Sequence, residues 1–257
     1  MDAAMIEPSV LYESSGVVAL LKPPGLPTQA PAGIESVESW LRRRLYAGDV
    51  AGYLGVPHRL DRAVSGVLLM AATPRAARKL SRQFERRQVA KTYAAIVVCT
   101  AGAAVNVAAL DQADAAGAGT VEWRDLIEKV PDEPRARRAD QPGPAAREAV
   151  TAARLAGRLP VQAGESPRLF LELAPLTGRM HQLRLQAALR GMPVVGDELY
   201  GAGEGTIDGL PGAAVDPRSR PIALHAWRIG FADPDTGRVV SVEAPLPDAW
   251  PVVASGA

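Results

Sequence analysis

An α+β fold is the class this sequence predicts. Segments with strand character outnumber helical ones, and the two kinds do not alternate regularly, as a doubly wound α/β chain would require. The chain has 257 residues, 47% apolar and 22% charged, an ordinary composition for a folded chain with a sizeable core. No internal repeat interrupts it, so a single domain over residues 1–257, with a core of about 11–246, is expected.

The elements follow in order. Val17-Val18-Ala19-Leu20-Leu21 reads as a short buried strand, stopped by Pro23-Pro24-Gly25. Ser36 to Leu45 reads as a helix ending in Arg42-Arg43-Arg44. Gly66 to Ala71 is a continuous apolar strand, after which Thr73 caps a helix with Pro74 at its first position. Tyr93 to Val98, Val150 to Leu155, Leu169 to Leu173, Ile222 to Phe231 and Val239 to Val242 are further strands, the last two joined as a hairpin by the Gly237 turn. Met180 to Arg190 reads as a helix closed by Gly191. Asp132 to Arg147 and Gly201 to Pro217 read as flexible excursions. Thr92 to Leu110 carries no charge and is about long enough to span a bilayer. Its many small and polar residues make it a buried strand plus loop instead.

One cysteine, Cys99, excludes an internal disulfide and fits a reducing cytoplasm. The acidic start Met1-Asp2-Ala3-Ala4-Met5-Ile6-Glu7 lacks the apolar core of a secretory signal. The net charge is only +1, but its distribution is uneven. Between His58 and Lys91 nine bases face two acids, Asp61 and Glu85, whereas from Gly196 to Trp250 nine acids face four arginines. A concentrated basic region in a neutral chain can bind a polyanion locally.

The helix after Pro74 places Lys79, Arg82 and Arg86 within roughly 40° of Arg75, with Ala77, Leu80 and Phe84 opposite. A basic side of this kind is either a solvated face or a phosphate-binding one. Glu85 is the only acid the helix offers as a partner, which favours phosphate binding. On the helix from Met180, Gln182, Gln186 and Arg190 form a polar stripe about 80° wide, and Arg184 lies nearly opposite it. A guanidinium facing inward needs a carboxylate partner, unless it snorkels out or pairs structurally.

His58, His181 and His225 show no zinc-ligand spacing, and there is no CxxC, so a metal site is not expected. Gly201 to Thr206 looks superficially like a dinucleotide loop but follows no clear strand and opens no helix. In His58-Arg59-Leu60-Asp61-Arg62 a carboxylate is flanked by arginines that would hold it ionised and attract an anionic substrate.

Taken together, these segments resemble RluA-type pseudouridine synthases. His58 to Gly66 resembles their H-R-L-D-x-x-T-S-G signature, and Lys91-Thr92-Tyr93 their K-x-Y element. Leu176 to Arg184 resembles T-G-R-x-H-Q-[IL]-R, and Gly196-Asp197 with Tyr200-Gly201 the element after it. Lys22 to Leu26 resembles an early K-P-x-G-L turn and Leu224-His225-Ala226 a late L-H-A strand, so six pieces stand in order from about Val17 to Val242. Leu21 and Val64 depart from the Asn and Thr usual in the family. An N-terminal S4-type RNA-binding domain is not expected, since Lys22 already stands in the resembling segments.

The resemblance implies a mixed, mainly antiparallel central sheet with flanking helices and a catalytic cleft across its middle. It implies Asp61 as the carboxylate enabling glycosidic cleavage, Tyr93 stacking on the flipped uracil, and Arg184 paired with Asp61. Arg59 would fill the space left by the extruded nucleotide. Lys22, His58, Arg62, Arg179 and His181, with Arg75, Lys79, Arg82 and Arg86 of the basic helix, would bind RNA or substrate. The expected partner is RNA, ribosomal or transfer. The protein is expected to be a cytoplasmic monomer with no membrane, metal or cofactor, since the isomerisation needs neither redox chemistry nor phosphoryl transfer. A non-catalytic RNA-binding protein on this fold would have no need of Asp61 or Tyr93, and both are present. A glycoside hydrolase would need a second placed acid and an aromatic-rich cleft, yet aromatics make up only 5%.

Overall fold

The computed structural model describes residues 7–47, 52–117, 119–201 and 220–250. The chain forms two compact units. The first runs through Lys91 and resumes at His225–Pro247; the second begins at Thr92 and includes Ile222–Leu224. No helix among the described residues is long and apolar enough to cross a membrane.

In the first unit β1 (Ser9–Ser14), β2 (Val17–Lys22) and β3 (Ser65–Ala71) pair antiparallel in chain order. All seven residues of β3 are buried, which explains its unbroken apolar run. Helix α1 (Val37–Tyr46) starts at a reciprocal cap: the Ser36 hydroxyl accepts from the Ser39 amide at 3.1 Å, and the Ser39 hydroxyl from the Ser36 amide at 2.9 Å. Helix α2 (Pro74–Glu85) is capped by Thr73, as expected, and buries Ala76, Ala77 and Leu80. These meet Val17, Val67, Leu69, Ile229 and Phe231 in one apolar core.

In the second unit β4 (Ala90–Val98) is followed by a single 3-10 turn and helix α3 (Ala104–Ala115). The segment expected to be a loop after this strand is therefore helical. Alanine supplies the helix propensity, while the lack of an apolar stripe or side-chain cap hides it from periodicity. Then come β5 (Val121–Lys129), β6 (Ala136–Arg138), β7 (Arg147–Leu159) and β8 (Arg168–Pro175). They are joined antiparallel in the order β4-β8-β7-β5-β6. The supposed excursion from Asp132 to Arg147 thus contains a short strand, and Ala136 within it is buried. The second excursion, after Gly201, lies outside the described residues.

Helix α4 (Gln182–Leu189) is shorter than the expected span because His181, at φ 51°, forms its left-handed N-cap. Strand β9 (Leu224–Ala232) pairs in parallel with β3, Ser65 opposite His225 and Gly66 opposite Ala226. It turns back through Gly237 (φ 70°) into β10 (Val239–Glu243), the expected hairpin. The sheet is mixed and mainly antiparallel, as the resemblance implied.

Candidate active site

In the first unit two loops are laced together around Asp61. Lys22, at the end of β2, is fully buried, and its ammonium donates to the Pro23 carbonyl at 2.9 Å and the Arg62 carbonyl at 3.1 Å. The Gly25 amide donates to that same Arg62 carbonyl at 2.8 Å, and the Arg62 Nε returns a bond to the Gly25 carbonyl at 2.9 Å. The Thr28 hydroxyl accepts from the Leu60 amide at 3.2 Å and donates to its carbonyl at 3.0 Å. Asp61 sits in a turn closed by the Val64 amide on its own carbonyl at 3.1 Å. Burial brings the Lys22 ammonium down to about 7; the Asp61 charge opposes that shift and the Arg62 charge adds to it. The buried amine and the carboxylate are thus electrostatic neighbours.

His58 has a supporting place in this loop. Its Nε2 accepts from the Leu69 amide at 2.8 Å, and its ring stacks on Phe84 with centroids 4.6 Å apart. Burial first, then the charge of Lys91, holds it down to about 3, so it is neutral and pins the loop to β3 and α2. Ser65 and His225 Nδ1 lie 2.8 Å apart, joining the far end of the loop to β9. Burial likewise holds His225 at about 4, against the opposing effect of backbone groups at Ala244 and Pro245. Arg59 is exposed, and among the described residues its side chain has no hydrogen bond or ion pair.

The basic helix departs from the expected single stripe. Arg75 reaches Asp235 at 3.2 Å, and the Lys79 ammonium donates to the Pro234 carbonyl. Glu85 is therefore not the only acid within reach of the helix: the β9–β10 turn supplies one. Arg82 and Arg86 stay exposed.

In the second unit Tyr93 stands on β4 opposite Leu173, partly exposed. The turn from Thr177 to Gln182 is fixed by buried polar groups. The Thr177 hydroxyl accepts from the Val150 amide at 2.9 Å and donates to Gln182 Oε1 at 2.7 Å. That oxygen also accepts the Arg179 amide at 3.0 Å, while Gln182 Nε2 donates to the Val150 carbonyl and Thr151 hydroxyl at 3.0 and 2.9 Å. The Arg179 Nε is tied to the Glu148 carbonyl at 2.9 Å.

Arg184 is buried, as an inward-facing guanidinium requires, and has a carboxylate partner in Asp197. Its Nε and Nη2 reach the two Asp197 oxygens at 2.6 and 2.8 Å, a bidentate pair. Its guanidinium also lies over the Tyr200 ring, 5.3 Å from the centroid. The Tyr200 hydroxyl accepts from the Ala136 amide at 2.9 Å and meets His181 Nδ1 at 2.9 Å. Asp197 and Tyr200 therefore organise the surroundings of Arg184. Their signal in the sequence is the Gly196-Asp197 and Tyr200-Gly201 element. The stripe of Gln182, Gln186 and Arg190 is also not a solvent face: both glutamines are buried. Among the described residues no group of three or more His, Cys, Asp or Glu is placed to hold a metal.

Comparison with known proteins agrees with these motifs. Residues 16–189 match the family model described as RNA pseudouridylate synthase. The chain is 32% identical over 249 residues to the tRNA pseudouridine synthase C of Salmonella typhi, across 94% of this chain and 86% of that protein. It is also 32% identical over 239 residues to the ribosomal large subunit pseudouridine synthase C of Rickettsia felis, across 93% and 67% of the two. The structure of human RNA Pseudouridylate Synthase Domain Containing 1 shares the fold, with a TM-score of 0.67 at 24% identity over 95% of this chain and 88% of that one. The family match spans both laced loops, Tyr93 and the Arg184 helix, and the chain belongs to the RNA pseudouridylate synthase family.

Proposed function

We propose that Asp61 is the carboxylate with which this RNA pseudouridine synthase isomerises uridine, and that its targets lie in transfer or ribosomal RNA. The observation carrying the assignment is the lacing of the Asp61 loop onto the buried Lys22 turn. It holds one carboxylate at a fixed position beside a positive charge. A target uridine is extruded at a cost of a few kcal/mol, least in loops. The N1–C1′ bond breaks, the uracil turns, and C5 bonds to C1′; the C5 proton leaves to water and N1 ends protonated. Asp61 enables the first cleavage at the sugar or the ring. Tyr93 stacks on the detached base, and Arg184 keeps the role implied by resemblance, as counter-charge to the carboxylate. Arg59, exposed and unpaired among the described residues, occupies the space the nucleotide leaves. No electron or phosphoryl group moves, so the enzyme works without metal or cofactor, as a cytoplasmic monomer. The two relatives named above are called after transfer and ribosomal RNA, which is why both classes are proposed.

Tritium release from RNA labelled at uridine C5 tests this. Wild type is expected to release tritium from transfer or large-subunit ribosomal RNA, and Asp61→Ala to be slower by at least about a thousandfold. Activity retained in Asp61→Ala would overturn the assignment, and release from neither RNA would overturn the proposed targets.

A further inference from the structure

The exposed side of α2 divides into two parallel rows with different occupations. Arg75, Lys79 and Gln83 follow one another four residues apart, and all are turned onto the β9–β10 turn. Arg75 pairs with Asp235, Lys79 donates to the Pro234 carbonyl, and Gln83 exchanges two bonds with the Ala232 backbone at 2.8 and 2.7 Å. Beside them Arg78, Arg82 and Arg86 form a second row at the same spacing, with Arg87 following. All four are exposed, and among the described residues none of their side chains has a hydrogen bond or ion pair. Glu85, the acid on this helix, is likewise without an ion pair among the described residues.

Helix α2 is also anchored against the chain that leads to Asp61. Gly55 lies against Ala77, close enough that a Cβ on the glycine would come within 2.8 Å of the alanine Cβ, and His58 stacks on Phe84. The chain from 55 to 58 therefore runs along α2 toward its C-terminal end and leads directly into Asp61. Successive arginines of the row are about 6 Å apart along the helix axis, comparable to the spacing of phosphates along a nucleic-acid strand.

We propose that Arg78, Arg82, Arg86 and Arg87 form a phosphate track for the RNA strand leading to the target uridine, while Arg75, Lys79 and Gln83 fix the helix to its hairpin. This rests on the RNA-modifying function proposed above and adds to it which cations meet the backbone. A row of arginines without carboxylate partners binds phosphates regardless of base, and each phosphate it neutralises releases counterions. The track therefore supplies affinity and approach, and contributes no sequence preference.

Affinity for a fluorescent single-stranded, uridine-containing oligoribonucleotide, measured from about 50 to about 200 mM salt, tests the division. In Arg78→Gln/Arg82→Gln/Arg86→Gln the slope of log affinity against log salt is expected to fall by about 2–3, with Kd rising on the order of tenfold or more. The corresponding triple lysine variant, which keeps the charge, should recover most of both. Arg75→Gln/Lys79→Gln should lower Tm instead and keep most of the salt slope. An unchanged slope and Kd in the triple glutamine variant would overturn the track. An equal loss of slope in the Arg75, Lys79 pair would overturn the division into rows. If wild-type protein bound no RNA and released no tritium, the enzyme function itself would fail, and the track with it.

Discussion

Gly66 bears on how the Asp61 loop is held. It stands at φ 114°, and a Cβ there would lie 2.2 Å from the Ala226 carbonyl oxygen and 2.5 Å from its nitrogen. Both obstacles are backbone atoms of the parallel partner strand, so no rotamer change can relieve them. Gly66→Ala is expected to destabilise the protein by more than about 3 kcal/mol, read from the midpoint of urea unfolding, with a loss of turnover because Asp61 lies just upstream. A change below about 1 kcal/mol would mean that β3 and β9 can separate without penalty. The need for glycine here could be seen in the sequence only as part of a motif, since its cause is a strand some 160 residues away. Lys22 shows the same boundary. Its place in the early turn was legible, but its complete burial was not, because lysine is ordinarily a surface residue and nothing local announces two carbonyls waiting for it.

At the scale of the element, α2 and α4 differ in how far their sequences speak. The caps and apolar side of α2 were correct because one side faces a core and the other solvent. Helix α4 is buried from Gln182 through Ala187, so its polar stripe faces protein rather than solvent. Its glutamines are satisfied instead by strands. Gln186 Oε1 accepts the Thr151 hydroxyl at 2.6 Å, and its Nε2 serves Asp125 at 2.8 Å and the Trp123 and Ala149 carbonyls at 3.2 Å each. Gln186→Leu keeps much of the volume but strands these groups, which is expected to cost about 2–4 kcal/mol in thermal or denaturant unfolding. A loss of less than about 1 kcal/mol would show that the network is not needed to seat α4. The same logic applies to Asp197 and Tyr200: their value depends on Arg184 and His181 lying beside them in space, and periodicity carries no such information.

At the scale of the whole molecule, the α+β class and most strands were legible because continuous apolar runs and turn residues mark them, while β1, β5, β6 and α3 escaped because they are half-exposed or lack a stripe. The near-neutral net charge likewise conceals that the first unit buries several bases. His58 is held at about 3 and His225 at about 4, both below the unfolded value of 6.5. Between pH 6.5 and about 4 the unfolded chain therefore binds protons that the folded one refuses. Stability from these two groups is complete above pH 6.5 and is lost as pH falls toward their folded values. Lys22, lowered from 10.5 to about 7, acts in the same direction at higher pH: the unfolded chain binds the extra proton between those values, so stability rises with pH across that window. Three buried bases thus tilt the stability curve toward the alkaline side of neutral. At pH 5 each histidine is expected to cost roughly 2 kcal/mol relative to pH 7.5. Unfolding midpoints measured at intervals between these pH values should fall steadily, and the slope should flatten in His58→Asn and in His225→Asn. Midpoints that stay level from pH 7.5 to 5 in wild type would mean that neither ring is held neutral by the fold.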